Sequence, residues 1–239
     1  HAALGCFRRR LKRDCRNTMD CRFVTKWKRV KIKGVLKRII RQRLTLRGFK
    51  DREKDELQRF AGTAQRQSQL MLSSITAANP DCVDWCTDIS KAFLQGLSFK
   101  ELHELTGEPM RNVSFVLPLW ASKVLRQLEG FEDFDPATEC LECLKPGTGC
   151  VDAPRAFSLK LSRTLRACEM KPTLADDQLE VCHHEGRLNL AMTKHVDDLR
   201  FTGQEAKATQ VVNKLQEGSL ATSTSRRTST PTAELNTRD

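Results

Sequence analysis

No window of the 239-residue sequence approaches the roughly 18 uninterrupted apolar residues of a membrane-spanning helix, which excludes a segment of that kind. The first dozen positions, with Arg8, Arg9, Arg10 and Lys12, lack the apolar core of a secretory signal, so a cytosolic or nuclear protein is expected. No internal repeat is evident, which argues against a repeat architecture. Tyrosine is missing altogether. Acidic residues are scarce at one end: residues 1–60 hold 6 Asp+Glu against 21 Lys+Arg, whereas the rest of the chain holds 24 against 20. A basic block of this density binds polyanions by releasing condensed counterions, which makes nucleic acid the first partner to test and a solvated arm the alternative. The ten cysteines lie in a chain neither short nor visibly secreted, so most are expected as reduced thiols.

Residues 1–21 are Arg-rich with little apolar periodicity and are expected to form a basic disordered arm. From Phe23 to Ile32, β-branched and aromatic residues predict a strand; Gly34 marks a turn, and Ile39–Leu46 returns as its partner, giving a basic β-hairpin. Helical spacing predicts helices over Thr63–Ala78 and Pro154–Met170, and Ala208, Val211, Val212 and Leu215 suggest another. Residues 97–136 look like an inserted subsection, opened by a capping box at Ser98 and Glu101 and closed locally by Gly107. From residue 218 to 239 the Ser/Thr-rich remainder has too few apolar residues to bury and is expected to be disordered.

Three acidic positions carry the chemistry. Asp84 and Asp88 alternate with Val83, Trp85 and Thr87, so both lie on one face of a predicted strand, and a second alternating run from Leu188 to Val196 arrives at Asp197-Asp198. Carboxylates on neighbouring strands can hold the pair of Mg²⁺ ions used in phosphoryl transfer. Asp176-Asp177 is a second acidic pair, in a predicted loop, and reads as solvated. Cys140-Leu141-Glu142-Cys143 is half of a possible zinc site, with Cys150 and either Cys82 and Cys86 or Cys182-His183-His184 as distant partners; no second pair sits at finger spacing.

Asp88-Ile89-Ser90-Lys91-Ala92-Phe93-Leu94-Gln95-Gly96 resembles the D-[VI]-x-x-A-F-L-x-G motif of copia-type retrotransposon reverse transcriptases. His195-Val196-Asp197-Asp198-Leu199 resembles their Y-V-D-D-L motif with His in place of Tyr. The stretch Leu144–Phe157 is similar to the L-K-x-x-L-Y-G-L-K-Q-A-P-R-A-W block, and Arg43–Phe49 to R-L-V-A-K-G-F. Four blocks in order are more specific than any one of them. The resemblance implies an α+β right-hand polymerase, a palm with a fingers portion over residues 22–217, a small antiparallel sheet packed by helices and no thumb. It implies an RNA-directed DNA polymerase that adds deoxynucleotides to a primer 3′-hydroxyl, with RNA template, DNA primer/template and deoxynucleoside triphosphates as partners. The other Pol domains would be missing from this chain.

Carried over by residue, the resemblance makes Asp88, Asp197 and Asp198 catalytic. These three, with Ile89, form the site for two Mg²⁺ ions, or Mn²⁺. Phe93 becomes a steric gate against the 2′-hydroxyl, with a core aromatic as its alternative, and Thr148 and Gly149 lie by the nascent base pair. Arg41, Arg43 and Arg47 are candidates for the triphosphate, Arg43 first. Lys26, Lys28, Arg29, Lys31, Lys33 and Arg155 are candidates for nucleic-acid backbone. A catalytically silent nucleic-acid-binding remnant of the same element is the competing expectation.

Overall fold

The computed structural model describes residues 5–218, 220 and 222–226, which form a mixed α/β structure with two sheets and five helices. The chain divides into two compact units, each built from two stretches: residues 1–60 with 93–160, and residues 61–92 with 161–239. The fingers and palm region expected over residues 22–217 has residues in both units. Among the described residues no helix is long and apolar enough to cross a membrane.

In the first unit a five-stranded sheet contains β1 (Phe7–Leu11), β2 (Asn17–Ile32), β3 (Val35–Leu46), β5 (Val113–Val116) and β6 (Glu139–Cys143), in the order β1-β6-β5-β2-β3. β2 changes partner along its length. Asn17–Asp20 pairs parallel with β5, and Cys21–Ile32 pairs antiparallel with β3. The β2–β3 turn is Lys33-Gly34 with φ of 48° and 82°, the left-handed pair that a two-residue hairpin turn needs to match strand twist.

Residues 5–21 of the expected disordered arm instead hold β1 and the start of β2, while residues 1–4 fall outside the described residues. Arg8 and Arg10 both pair with Glu142 across the β1–β6 ladder, and Arg9 forks onto Glu139 at 3.1 and 2.9 Å, so distant carboxylates neutralise the arginines. Phe7 anchors the strand edge-on to Phe115 and Phe131, with ring centroids 5.7 and 5.9 Å apart. Residues 97–136, expected as an inserted subsection, are built into the core of this unit. They hold α2 (Phe99–Thr106), β5 and α3 (Leu119–Leu125), and supply Leu97, Phe99, Leu102, Phe115 and Phe134 to the buried core of this unit. α2 has the predicted capping box, with Gly107 left-handed behind it at φ 71°.

The second unit carries a six-stranded sheet of β4 (Val83–Ile89), β7 (Lys171–Pro172), β8 (Leu179–His184), β9 (Arg187–His195), β10 (Asp198–Gly203) and β11 (Thr222–Arg226), in the order β11-β4-β10-β9-β8-β7, every ladder antiparallel. Residues 222–226, expected in a disordered tail, lie along β4; 227–239 fall outside the described residues. α1 (Arg66–Ala78) packs Leu72 and Ile75 on Leu179 and Ala191, while α5 (Glu205–Glu217) buries Ala208, Val211 and Leu215. α4 (Ala153–Arg166) begins at Ala153 and ends four residues before the predicted Met170.

α1 starts three residues later than predicted, at Arg66, and its cap is remote. The carboxylate of Asp176 accepts from the Gln65 N–H at 2.9 Å and from the Ser68 hydroxyl, and its other oxygen accepts from the Gln178 N–H at 2.9 Å. Asp176 is thus buried, not solvated, and its negative charge sits at a helix N-terminus, where the backbone dipole favours it.

Candidate functional site

The pleat of β4 turns Val83, Thr87 and Ile89 into the buried layer and leaves Asp84, Cys86 and Asp88 on the other face. β10 does the same with Leu199 and Phe201 against Asp198, Arg200 and Thr202. Their antiparallel register sets Asp198 directly opposite Asp88, Arg200 opposite Cys86, and Thr202 opposite Asp84. Residues opposed in this way share a face, with Cβ atoms about 5 Å apart. β9 and β10 turn through Val196-Asp197, His195 facing Asp198, and Val196 takes a φ of 58°, uncommon for a β-branched residue. The turn is tied back to the neighbouring strand by the Ile89 N–H, which donates to the Asp197 carbonyl at 2.9 Å.

Three acids, separated by over a hundred positions in the chain, are therefore gathered at one end of one sheet. Asp88 and Asp198 are exposed and Asp197 is half-buried; together with His195, Arg200 and Ser223, the first two border an open groove of about 590 Å³. Among the described residues no three His, Cys, Asp or Glu side chains close on a common point as a metal cage.

Arg200 organises the wall of this groove and was not anticipated. Its guanidinium forks onto Asp84 at 3.0 and 2.9 Å and donates to Ser73 of α1 at 2.8 Å, clamping β4, β10 and α1 together. Hydrogen bonding to Asp84 raises the Arg200 pKa, so the guanidinium stays charged. The signal was present in the sequence, since Arg200 follows Asp198 by two and must share its face. One residue before His195, Lys194 turns into the opposite, buried layer and donates to Glu180 at 2.6 Å.

The remaining candidates lie in the first unit. On the β2–β3 hairpin Lys26 opposes Arg41, and Val24 opposes Arg43; with Arg22, Lys28 and Lys37, these cations share one face that carries no acid. Arg29 and Lys31 point to the other face, beside Trp27, over which the Arg38 guanidinium stacks at 5.2 Å, and Lys33 occupies the turn. Like charges directly opposite one another destabilise a hairpin, and the Lys26–Arg41 and Arg29–Arg38 pairs, one on each face, carry that cost.

Arg47 is set apart from these. It follows the strand and its guanidinium binds Asp20 at 2.9 Å, while Arg155 is likewise taken by Glu108 at 2.7 Å. Phe93 packs half-buried against the core of the unit. Gly149, expected to let backbone approach substrate, approaches the chain itself. With φ 95°, a Cβ there would lie 2.1 Å from the Leu46 carbonyl oxygen, and Gly48 N–H donates to Gly149 O at 3.1 Å while Leu46 N–H donates to Thr148 O at 2.8 Å. Two of the four sequence blocks are thereby stitched together through backbone.

The zinc half-site does not close among the described residues: a strand alternates its faces every residue, so Cys140 and Cys143, three apart on β6, point to opposite sides, and no group of three metal-ligating side chains forms. Sequence reading also missed Arg111, 9% exposed, whose guanidinium is ringed by Asp51, Asp152 and Glu53. Burial pushes the Asp152 carboxyl up despite Arg111; burial acts on Asp51 too, but the Asn17 amide and Arg111 outweigh it and hold that acid low. Comparison with models of known protein families gives no match, and no curated protein matches the chain.

Proposed function

We propose that the chain is the fingers and palm portion of a copia-type reverse transcriptase, transferring deoxynucleotides to a primer 3′-hydroxyl on an RNA or DNA template. The observation that supports this most is the cross-strand pairing of Asp88 with Asp198, beside a strained two-residue turn that carries Asp197. Residues so far apart in sequence come together at one end of one sheet.

The donor set fits Mg²⁺. Hard divalent ions take oxygen from one or two carboxylates and keep water and substrate phosphates on the rest, so a closed cage of three side chains is not required. Asp88, Asp198 and Asp197 would hold the ions, and Ile89 belongs to the same corner through its bond to Asp197. When bound, such ions lower the pKa of the attacking hydroxyl and neutralise the leaving pyrophosphate. The two opposed carboxylates concentrate negative charge where a cation must sit, and the bonded turn keeps Asp197 in register with β4. The acid-free face of the hairpin, Lys26, Lys28, Arg41 and Arg43, binds phosphates of template or incoming nucleotide, and Phe93 is the residue assigned to exclude a 2′-hydroxyl.

Primer extension on an RNA template with Mg²⁺ or Mn²⁺ tests the reading, comparing the chain with Asp197→Ala. Extension that disappears in the variant supports a polymerase. The second reading, a silent nucleic-acid-binding remnant, is favoured by a hairpin whose cationic face is complete without the carboxylates. It predicts equal salt-dependent binding by both proteins and extension by neither.

A further inference from the structure

We propose that Cys15 and Cys140 form a peroxide-responsive dithiol, a site of reversible oxidation in the first unit with no part in nucleotide transfer. Cys15 stands at the corner between β1 and β2, and its sulfur lies 3.0 Å from that of Cys140 on β6. The Ser114 hydroxyl donates to the Cys15 sulfur at 3.3 Å from the adjacent strand. The corner is held there by more than the thiols. Arg10 is the register partner of Cys140, Lys12 N–H donates to Thr138 O at 2.9 Å, and the Lys12 ammonium reaches the Pro136 and Ala137 carbonyls at 2.6 and 3.0 Å. Two sulfurs so placed need little motion to bond, and positioning of this kind is what makes an intramolecular step fast.

The two thiols are unequal. Cys140 is buried, and burial together with Cys15 pushes its thiol up to about 12, so it stays protonated at neutral pH. Cys15 is half-exposed and so the more accessible of the two, with Asp14, which pairs with Arg13, and Arg16 beside it in the chain. Cys15 is therefore the thiol that meets hydrogen peroxide. Its thiolate sulfur attacks one oxygen, the O–O bond breaks, and hydroxide leaves to become water, giving a sulfenic acid. The Cys140 sulfur then attacks the Cys15 sulfur; the S–O bond breaks, and the Cys140 proton joins the departing hydroxide as a second water. Two thiols lose two electrons in all and one peroxide is reduced to two waters. A small dithiol reverses the bond by exchange.

The test uses the full chain, treated with one equivalent of hydrogen peroxide, alkylated, digested and read by mass spectrometry. The expected product is a Cys15–Cys140 peptide pair lacking two hydrogens, undone by dithiothreitol, with a higher thermal midpoint while it lasts. In Cys140→Ser the reaction should stop at Cys15 as a dimedone-reactive sulfenic acid. Overturning results would be an unchanged rate of Cys15 alkylation after peroxide, a sulfinic acid on Cys15 with Cys140 still free, or a cross-link that joins other cysteines. The first assay reads the wild-type chain, so a variant that fails to fold leaves the outcome decided.

Discussion

Asp88 and Asp198 are register partners across β4 and β10, and like charges so opposed have a measurable cost when no cation is present. Opposed like charges in a ladder destabilise it by roughly 0.2–1 kcal/mol. Coulomb's law gives about 0.8 kcal/mol for two unit charges 5 Å apart in water, the appropriate medium because both carboxylates are exposed. Asp198→Asn removes this repulsion while keeping the shape of the side chain. In chelator the variant should be more stable than the wild type, by a thermal midpoint shift of roughly 1–5 °C for a unit of this size. Mg²⁺ should reverse the order. At ten times its dissociation constant a ligand stabilises by about 1.4 kcal/mol, whereas a site weakened tenfold gains only about 0.4 kcal/mol at the same concentration. Calorimetry with and without Mg²⁺ supplies the numbers, and hydrogen exchange at Ile89, whose N–H is bonded to Asp197, locates the effect in this sheet. A variant less stable than wild type in chelator, or one that gains as much from Mg²⁺, would refute a shared cation site.

Three further outcomes are expected. Arg111→Met leaves Asp51 and Asp152 buried without their cation, which should cost the first unit about 3–5 kcal/mol in urea denaturation. Asp176, whose hydrogen bonds from Ser68, Gln65 and Gln178 outweigh its burial and hold its pKa below the ordinary 3.8, lends stability that is complete above that pH and lost as pH falls through the lower folded value. The deficit of Asp176→Asn, about 1 kcal/mol at pH 6, should accordingly shrink on acidification below pH 4, as followed by thermal midpoints. For nucleic-acid binding, Lys26→Ala and Arg43→Ala should each lower the slope of log affinity against log salt by about 0.7–0.9, while Arg47→Ala, already paired with Asp20, should leave it nearly unchanged.

What could be read in the sequence was whatever strict local periodicity encodes. The hairpin about Gly34, the capping box at Ser98 and Glu101, and the alternating runs into Asp88 and Asp197 all depend on residues near one another in the chain, and all are present. The misreadings share a cause in long-range neutralisation. Arg8, Arg9 and Arg10 look like a solvated arm until Glu139 and Glu142 are placed beside them, and Asp176 looks like a loop acid until the amino end of α1 is brought to it. β11 escaped because Ser and Thr bury little, although they serve well on an exposed edge, where Thr224 meets Thr87 at 3.0 Å. At the site, the sequence offered the three acids but not their opposition. Register between β4 and β10 is set by the buried layer of Val83, Thr87, Leu199 and Phe201, and a slip of one residue would send Asp198 to the other face.

The order of strands in the first sheet also bears on how the chain is made. Among the described strands β1 pairs with β6, so its arginines leave the ribosome before the carboxylates that neutralise them. At roughly 5–20 residues per second, Phe7 waits on the order of ten seconds for Cys143 to be synthesised. The β2–β3 hairpin can close on itself throughout that interval, since its contacts are local. Translation arrested just before Glu139 should therefore leave Arg8–Arg10 open to trypsin, and arrest far enough beyond Cys143 for β6 to emerge should protect them; equal cleavage in both would mean that the amino-terminal strand is held by something other than its ladder.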